Sequence, residues 1–155
     1  MFVFFLTMLM SQVLVVDDDL DSGDGLARML RKRGHHAMAV PNGREALAML
    51  MGMTPDAIVL DMRMPMMDGA MFLDVVRSYL RLQHVPVLLF TAYPDGPEVD
   101  RAKRLGVRGV FRKGQDFTPI LDAIDETVAS SRRPSPSVGQ DVRGTGDTGR
   151  PGATN

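Results

Sequence analysis

Five short apolar runs, separated by stretches with helical spacing, limit this chain to one class of fold. The runs are Gln12 to Val16, Ala37 to Val40, Ala57 to Leu60, Val85 to Phe90 and Gly109 to Phe111. They are rich in Val, Leu and Ile with little polar alternation, the composition of strands covered on both faces. Between them, Leu26, Met29 and Leu30 share one helical face, Ala46, Leu47 and Leu50 a second, and Phe72, Leu73 and Val76 a third. Gly34 closes the first helix, because glycine tolerates the left-handed residue that ends many helices. Pro94, Gly96 and Pro97 favour a turn after the fourth strand and set the fourth helix at about Glu98 to Leu105. The fifth spans about Thr118 to Ala129, with Ile120, Leu121, Ile124 and Val128 toward the sheet. Strands and helices alternating in this way give parallel strands joined by helical crossovers. The expected architecture is α/β: a doubly wound five-stranded parallel sheet with five helices.

A length of 155 residues fits one domain and a tail. Residues 12–130 form the expected domain, and residues 131–155, rich in Pro, Gly, Ser and Arg, are too polar to repay ordering and are expected to be disordered. Residues 1–11 are an apolar extension or a mis-set start. Met1 to Met10 is only about half of the roughly 20 residues that span a bilayer, and it lacks the basic start and cleavage site of a secretory signal. Three readings stand for it: a start set too far upstream, a packing extension, or a membrane contact, the last the least expected. With 18 Lys and Arg against 19 Asp and Glu, no general field draws the chain to nucleic acid or an anionic membrane. Arg132, Arg133, Arg143 and Arg150 are too dispersed to make a nucleic-acid patch. The absence of cysteine excludes disulfides and thiolate chemistry and fits a cytoplasmic location.

Ligands of an open parallel sheet bind beyond the carboxyl ends of its strands. Here the first strand runs into Asp17, Asp18 and Asp19, the third into Asp61, the fourth into Thr91, and the fifth reaches Lys113. Carboxylates gathered in a crevice repel one another unless a cation neutralises them. Mg²⁺ suits such oxygen ligands and keeps open positions for water or phosphate. Asp61 beside it can act as a carboxylate nucleophile toward a phosphoryl group, giving an aspartyl phosphate. Lys113 and Thr91 can then meet other phosphoryl oxygens. His35, His36 and His84 read as junction or surface residues, and the many methionines as core and loop filling rather than a soft-metal site.

Val13-Leu14-Val15-Val16-Asp17-Asp18-Asp19, Asp61-Met62-Arg63-Met64-Pro65-Met66-Met67-Asp68-Gly69, Thr91-Ala92 and Lys113 resemble, in order, the motifs of response-regulator receiver domains. Val40-Pro41-Asn42-Gly43-Arg44-Glu45-Ala46-Leu47 and Pro55-Asp56 resemble the same family, and the likeness runs from about Gln12 to Ala129. It implies a flavodoxin-like receiver fold with Asp61 as phosphoacceptor and Thr91 and Lys113 as phosphate-binding groups. It also implies Mg²⁺ on Asp18, Asp61 and the Arg63 backbone carbonyl, with Asp17 acting largely through water. The implied partners are a histidine kinase or histidine phosphotransfer protein, and a downstream protein target that the sequence does not identify. A stand-alone module is expected, as monomer or phosphorylation-linked dimer, whose only catalysis is of its own phosphorylation and slow dephosphorylation.

Two positions depart from the family pattern. Val110 stands three residues before Lys113, where an aromatic side chain usually reports phosphorylation, and Phe111 beside it is expected to point to the opposite face. Gly114 follows Lys113 where a proline is usual, so that peptide is expected to be trans or rearranged. These departures leave a second reading open, a receiver-like module that docks a partner without phosphorylation. An aspartyl-phosphate phosphatase would want an acid two residues after Asp61, and Arg63 stands there.

Overall fold

A computed structural model describes residues 10–132, so the readings for residues 1–9 and 133–155 lie outside the described residues. Strands β1 (Gln12–Val16), β2 (His36–Val40), β3 (Ala57–Leu60), β4 (Val87–Thr91) and β5 (Gly109–Arg112) form one parallel sheet in the order β2-β1-β3-β4-β5. The direction of winding reverses between β1 and β3, which opens a crevice beyond their carboxyl ends. Helices α1 (Leu20–Lys32) and α5 (Thr118–Arg132) cover one face, packing on Val13, Val15, Val59, Leu88 and Phe90. Helices α2 (Gly43–Gly52), α3 (Gly69–Ser78) and α4 (Pro97–Arg104) cover the other, over Leu14, Val16, Ile58, Leu60 and Leu89. Successive side chains of each strand thus enter different cores, which is why the runs contain no polar alternation. Among the described residues no helix is long and apolar enough to cross a membrane.

Local chemistry sets the element ends. Asp19, Asn42 and Asp68 each cap a helix by accepting a backbone N–H of its first turn, from Ser22, Glu45 and Met71 respectively. At the end of α1 the Gly34 N–H donates to Arg31 and the His35 N–H to Leu30, with Gly34 at φ +90°. That paired closure requires a left-handed residue, as the glycine suggested. Strand β4 starts at Val87 rather than Val85, because Pro86 has no N–H to give and enters the ladder only as an acceptor from Ile58, at 2.9 Å. Helix α4 begins on Pro97 itself, whose missing N–H costs nothing in a first turn. Helix α5 continues through Arg132, past the expected end at Ala129, and the Ser130 and Ser131 hydroxyls donate back to Glu126 and Thr127 carbonyls.

His35 departs from the exposed junction residue expected of it. It is buried, with Nδ1 bonded to the Ser11 hydroxyl and Nε2 2.6 Å from Asp125 Oδ1. Arg33 Nη1 donates to Asp125 Oδ2 and to Asp122 Oδ1, each at 2.7 Å, so the α1–β2 turn grips α5 from two sides. Burial disfavours the Asp125 carboxylate, but hydrogen bonds from His35 and Arg33 outweigh it and hold its pKa below the ordinary value. A depressed acid stabilises the fold above its unfolded pKa, near 3.9, and that contribution disappears as pH falls through the folded value. Urea unfolding below about pH 4 should therefore fall less steeply with acidification in Asp125→Asn than in the parent. At pH 7 the same change should cost no more than about 1 kcal/mol, since Asp125 is 41% exposed and the pairs are screened.

Candidate functional site

The site forms where β1 and β3 end on either side of the crevice. Asp17 leaves β1 with its N–H bonded to Val40 O at 3.1 Å, and Asp61 leaves β3 with its N–H on Val16 O at 2.9 Å. The parallel ladder itself therefore sets the separation of the two carboxyls. Asp17 and Asp61 are 3% and 6% exposed, whereas Asp18 faces solvent. One carboxylate oxygen from each of Asp17, Asp18 and Asp61 falls within 4.8 Å of the others. The third acid of the Asp17-Asp18-Asp19 run is outside this group, because Asp19 caps α1.

Lys113 enters from the end of β5, its own N–H held by Thr91 O at 2.9 Å. Its ammonium donates to Asp17 at 2.7 Å and to Asp61 Oδ2 at 3.0 Å. The peptide after it is trans, since the described residues contain no cis bond, and the lysine spans the crevice with glycine following. One ammonium does not balance three carboxylates. Burial pushes the Asp17 carboxyl above its ordinary value, against the pull of Lys113 and the Asp19 amide. Burial also opposes the Lys113 charge, but its bonds to Asp17 and Asp61 prevail and raise its pKa. An arrangement of hard oxygen donors with surplus negative charge fits a small divalent cation such as Mg²⁺, and offers nothing to a soft metal.

Thr91 ends β4 fully buried, its hydroxyl accepting the Tyr93 N–H at 3.3 Å. The Arg63 N–H points at Asp61 Oδ1 from 3.5 Å. The Arg63 guanidinium lies 4.0 Å from the centre of the Tyr93 ring, and both side chains line a cleft of about 390 Å³ with Asp18, Asp68 and Glu98. Sequence reasoning gave Tyr93 no part, and the only signal was its place two residues after Thr91. Met62 and Met64 turn into the core, while Met66 is exposed at φ +68° at the tip of the loop. Val110 packs in the core under α4 and Phe111 in the one under α5, so strand alternation placed both correctly.

The model of the response regulator receiver domain matches residues 13–125. Sporulation initiation phosphotransferase F of Bacillus subtilis is 31% identical over 117 residues, which are 76% of this chain and 93% of that protein. The DNA-binding transcriptional regulator NtrC of Salmonella typhimurium is 37% identical over 121 residues, 78% of this chain but only 24% of the regulator. The high resolution structure of chemotaxis response regulator CheY4 of Vibrio cholerae superimposes with a TM-score of 0.70 at 27% identity, covering 76% of this chain and 98% of that one. The strand order, the acidic crevice at its switch point and these matches agree: the chain belongs to the response regulator receiver domain family.

Proposed function

We propose that the chain receives a phosphoryl group on Asp61 from the phosphohistidine of a histidine kinase or histidine phosphotransfer protein, and signals by protein contact. The observation that carries this reading is the Lys113 ammonium, bonded at once to Asp17 and Asp61 in a corner with surplus negative charge. An oxygen of Asp61 attacks phosphorus, the P–N bond breaks, and the donor imidazole leaves with the electron pair and takes up a proton. Lys113 is placed to follow a phosphoryl oxygen as the charge on Asp61 is transferred, and the Thr91 hydroxyl to donate to another. Asp17, Asp18, Asp61 and the Arg63 carbonyl would hold Mg²⁺, whose chemistry is neutralising charge on the transferring oxygens. The altered site would then shift the packing of α4, β5 and α5, the surface a downstream protein reads. A cytoplasmic location, and a monomer or phosphorylation-linked dimer, complete the reading.

Incubation with acetyl phosphate and Mg²⁺ should add one phosphate, mapped by mass spectrometry to the peptide containing Asp61. Chelating the Mg²⁺ should suppress the uptake. Equal uptake in the chelator, or phosphate on a different peptide, would remove this reading.

A further inference from the structure

Val110 leaves the switch without its usual aromatic reporter, because a half-buried valine packed against the core under α4 has no ring to move between surface and interior. Another aromatic residue is tied to Thr91 directly and to Asp61 through Arg63. Tyr93 donates its N–H to the Thr91 hydroxyl at 3.3 Å, and Arg63 directs its N–H at Asp61 Oδ1 from 3.5 Å. The two residues are joined to each other by the guanidinium stacked 4.0 Å from the ring. Both backbone bonds are at the long, weak end of the hydrogen-bond range, so small movements release them.

We propose that the Arg63–Tyr93 stack is the latch that reports the state of Asp61 in this chain, a role resting on Asp61 being the phosphoacceptor. A phosphoryl group on Asp61 takes the carboxylate oxygen away from the Arg63 N–H. Rotation of Thr91 toward that group takes its hydroxyl away from the Tyr93 N–H. Each end of the stack loses its tether in the same event, and the ring, 56% exposed, changes its place on the surface beside Asp95 and Glu98. The β3–α3 and β4–α4 loops are thereby coupled through a contact at the mouth of the site, where a docked partner can touch it directly.

The chain has two tyrosines, so the full chain labelled with fluorotyrosine gives two ¹⁹F resonances, with Tyr79 at the end of α3 as internal control. Tyr79→Phe assigns them. Beryllofluoride with Mg²⁺ should shift the Tyr93 resonance and leave that of Tyr79 in place. In Arg63→Met the Tyr93 resonance should start displaced and move less. A Tyr93 resonance that stays still, in protein that takes up phosphate on Asp61 from acetyl phosphate, overturns the latch and leaves the acceptor reading intact. Failure to take up phosphate at all removes both.

Discussion

Asp61→Asn is expected to reduce phosphate uptake from acetyl phosphate to background, a loss of at least about 10²- to 10³-fold, the scale on which single reacting or charge-stabilising groups act. The substitution keeps the shape of the side chain and changes its chemistry. An amide is no nucleophile at neutral pH, and it cannot neutralise Lys113 as a carboxylate does. The fold should survive, because the Asp61 backbone remains bonded to Val16 and the side chain still fits a site that is 6% exposed. Removing a carboxylate from a cluster of three also relieves repulsion, so thermal stability should hold or rise. Uptake at the parent rate by a folded Asp61→Asn protein would move the acceptor elsewhere, and Asp17 and Asp18 are the neighbours that mapping would test.

The parts of this molecule that sequence exposed are those governed by short-range rules. Strands buried on both faces announce themselves as apolar runs, and β1 and β3 were legible to the residue. Strand alternation assigned Val110 and Phe111 to different cores because its period is strictly two. What sequence could not expose depends on partners far along the chain. His35 looked like a surface residue because the acid that buries it, Asp125, is ninety positions away on α5. The Asp17-Asp18-Asp19 run could be assigned to the crevice as a group, but which acid turns aside to cap α1 is decided by the path of the backbone. The Arg63–Tyr93 stack joins two loops whose relative placement no local pattern specifies.

Gly69→Ala should both destabilise the fold and slow phosphate uptake, although residue 69 carries no reacting group. A methyl group there would stand 2.6 Å from the Asp61 carbonyl oxygen, 2.8 Å from Met62 Cα and 2.9 Å from Met62 Sδ. The sulfur can swing away, but the two backbone atoms cannot. Asp61 is fixed to β1 through Val16, and Gly69 itself donates to Met62 O at 2.9 Å. Relief must come from moving the start of α3 outward or the end of β3 inward. Overpacking of this kind costs about 1–3 kcal/mol, and the upper part of that range applies where backbone must yield. The functional loss follows from the same geometry, since the atoms pushed belong to Asp61, the proposed phosphoacceptor, and to its neighbour. Misplacing a reacting group by about 1 Å costs on the order of 10²-fold in rate. Gly114→Ala provides the comparison: its methyl group would meet nothing within 4 Å, so stability should stay within about 0.5 kcal/mol of the parent. Urea unfolding and the rate of uptake from acetyl phosphate, measured on both variants, separate the two cases. A Gly69→Ala protein as stable and as fast as Gly114→Ala would mean that the approach of α3 to the end of β3 does not hold Asp61 in place.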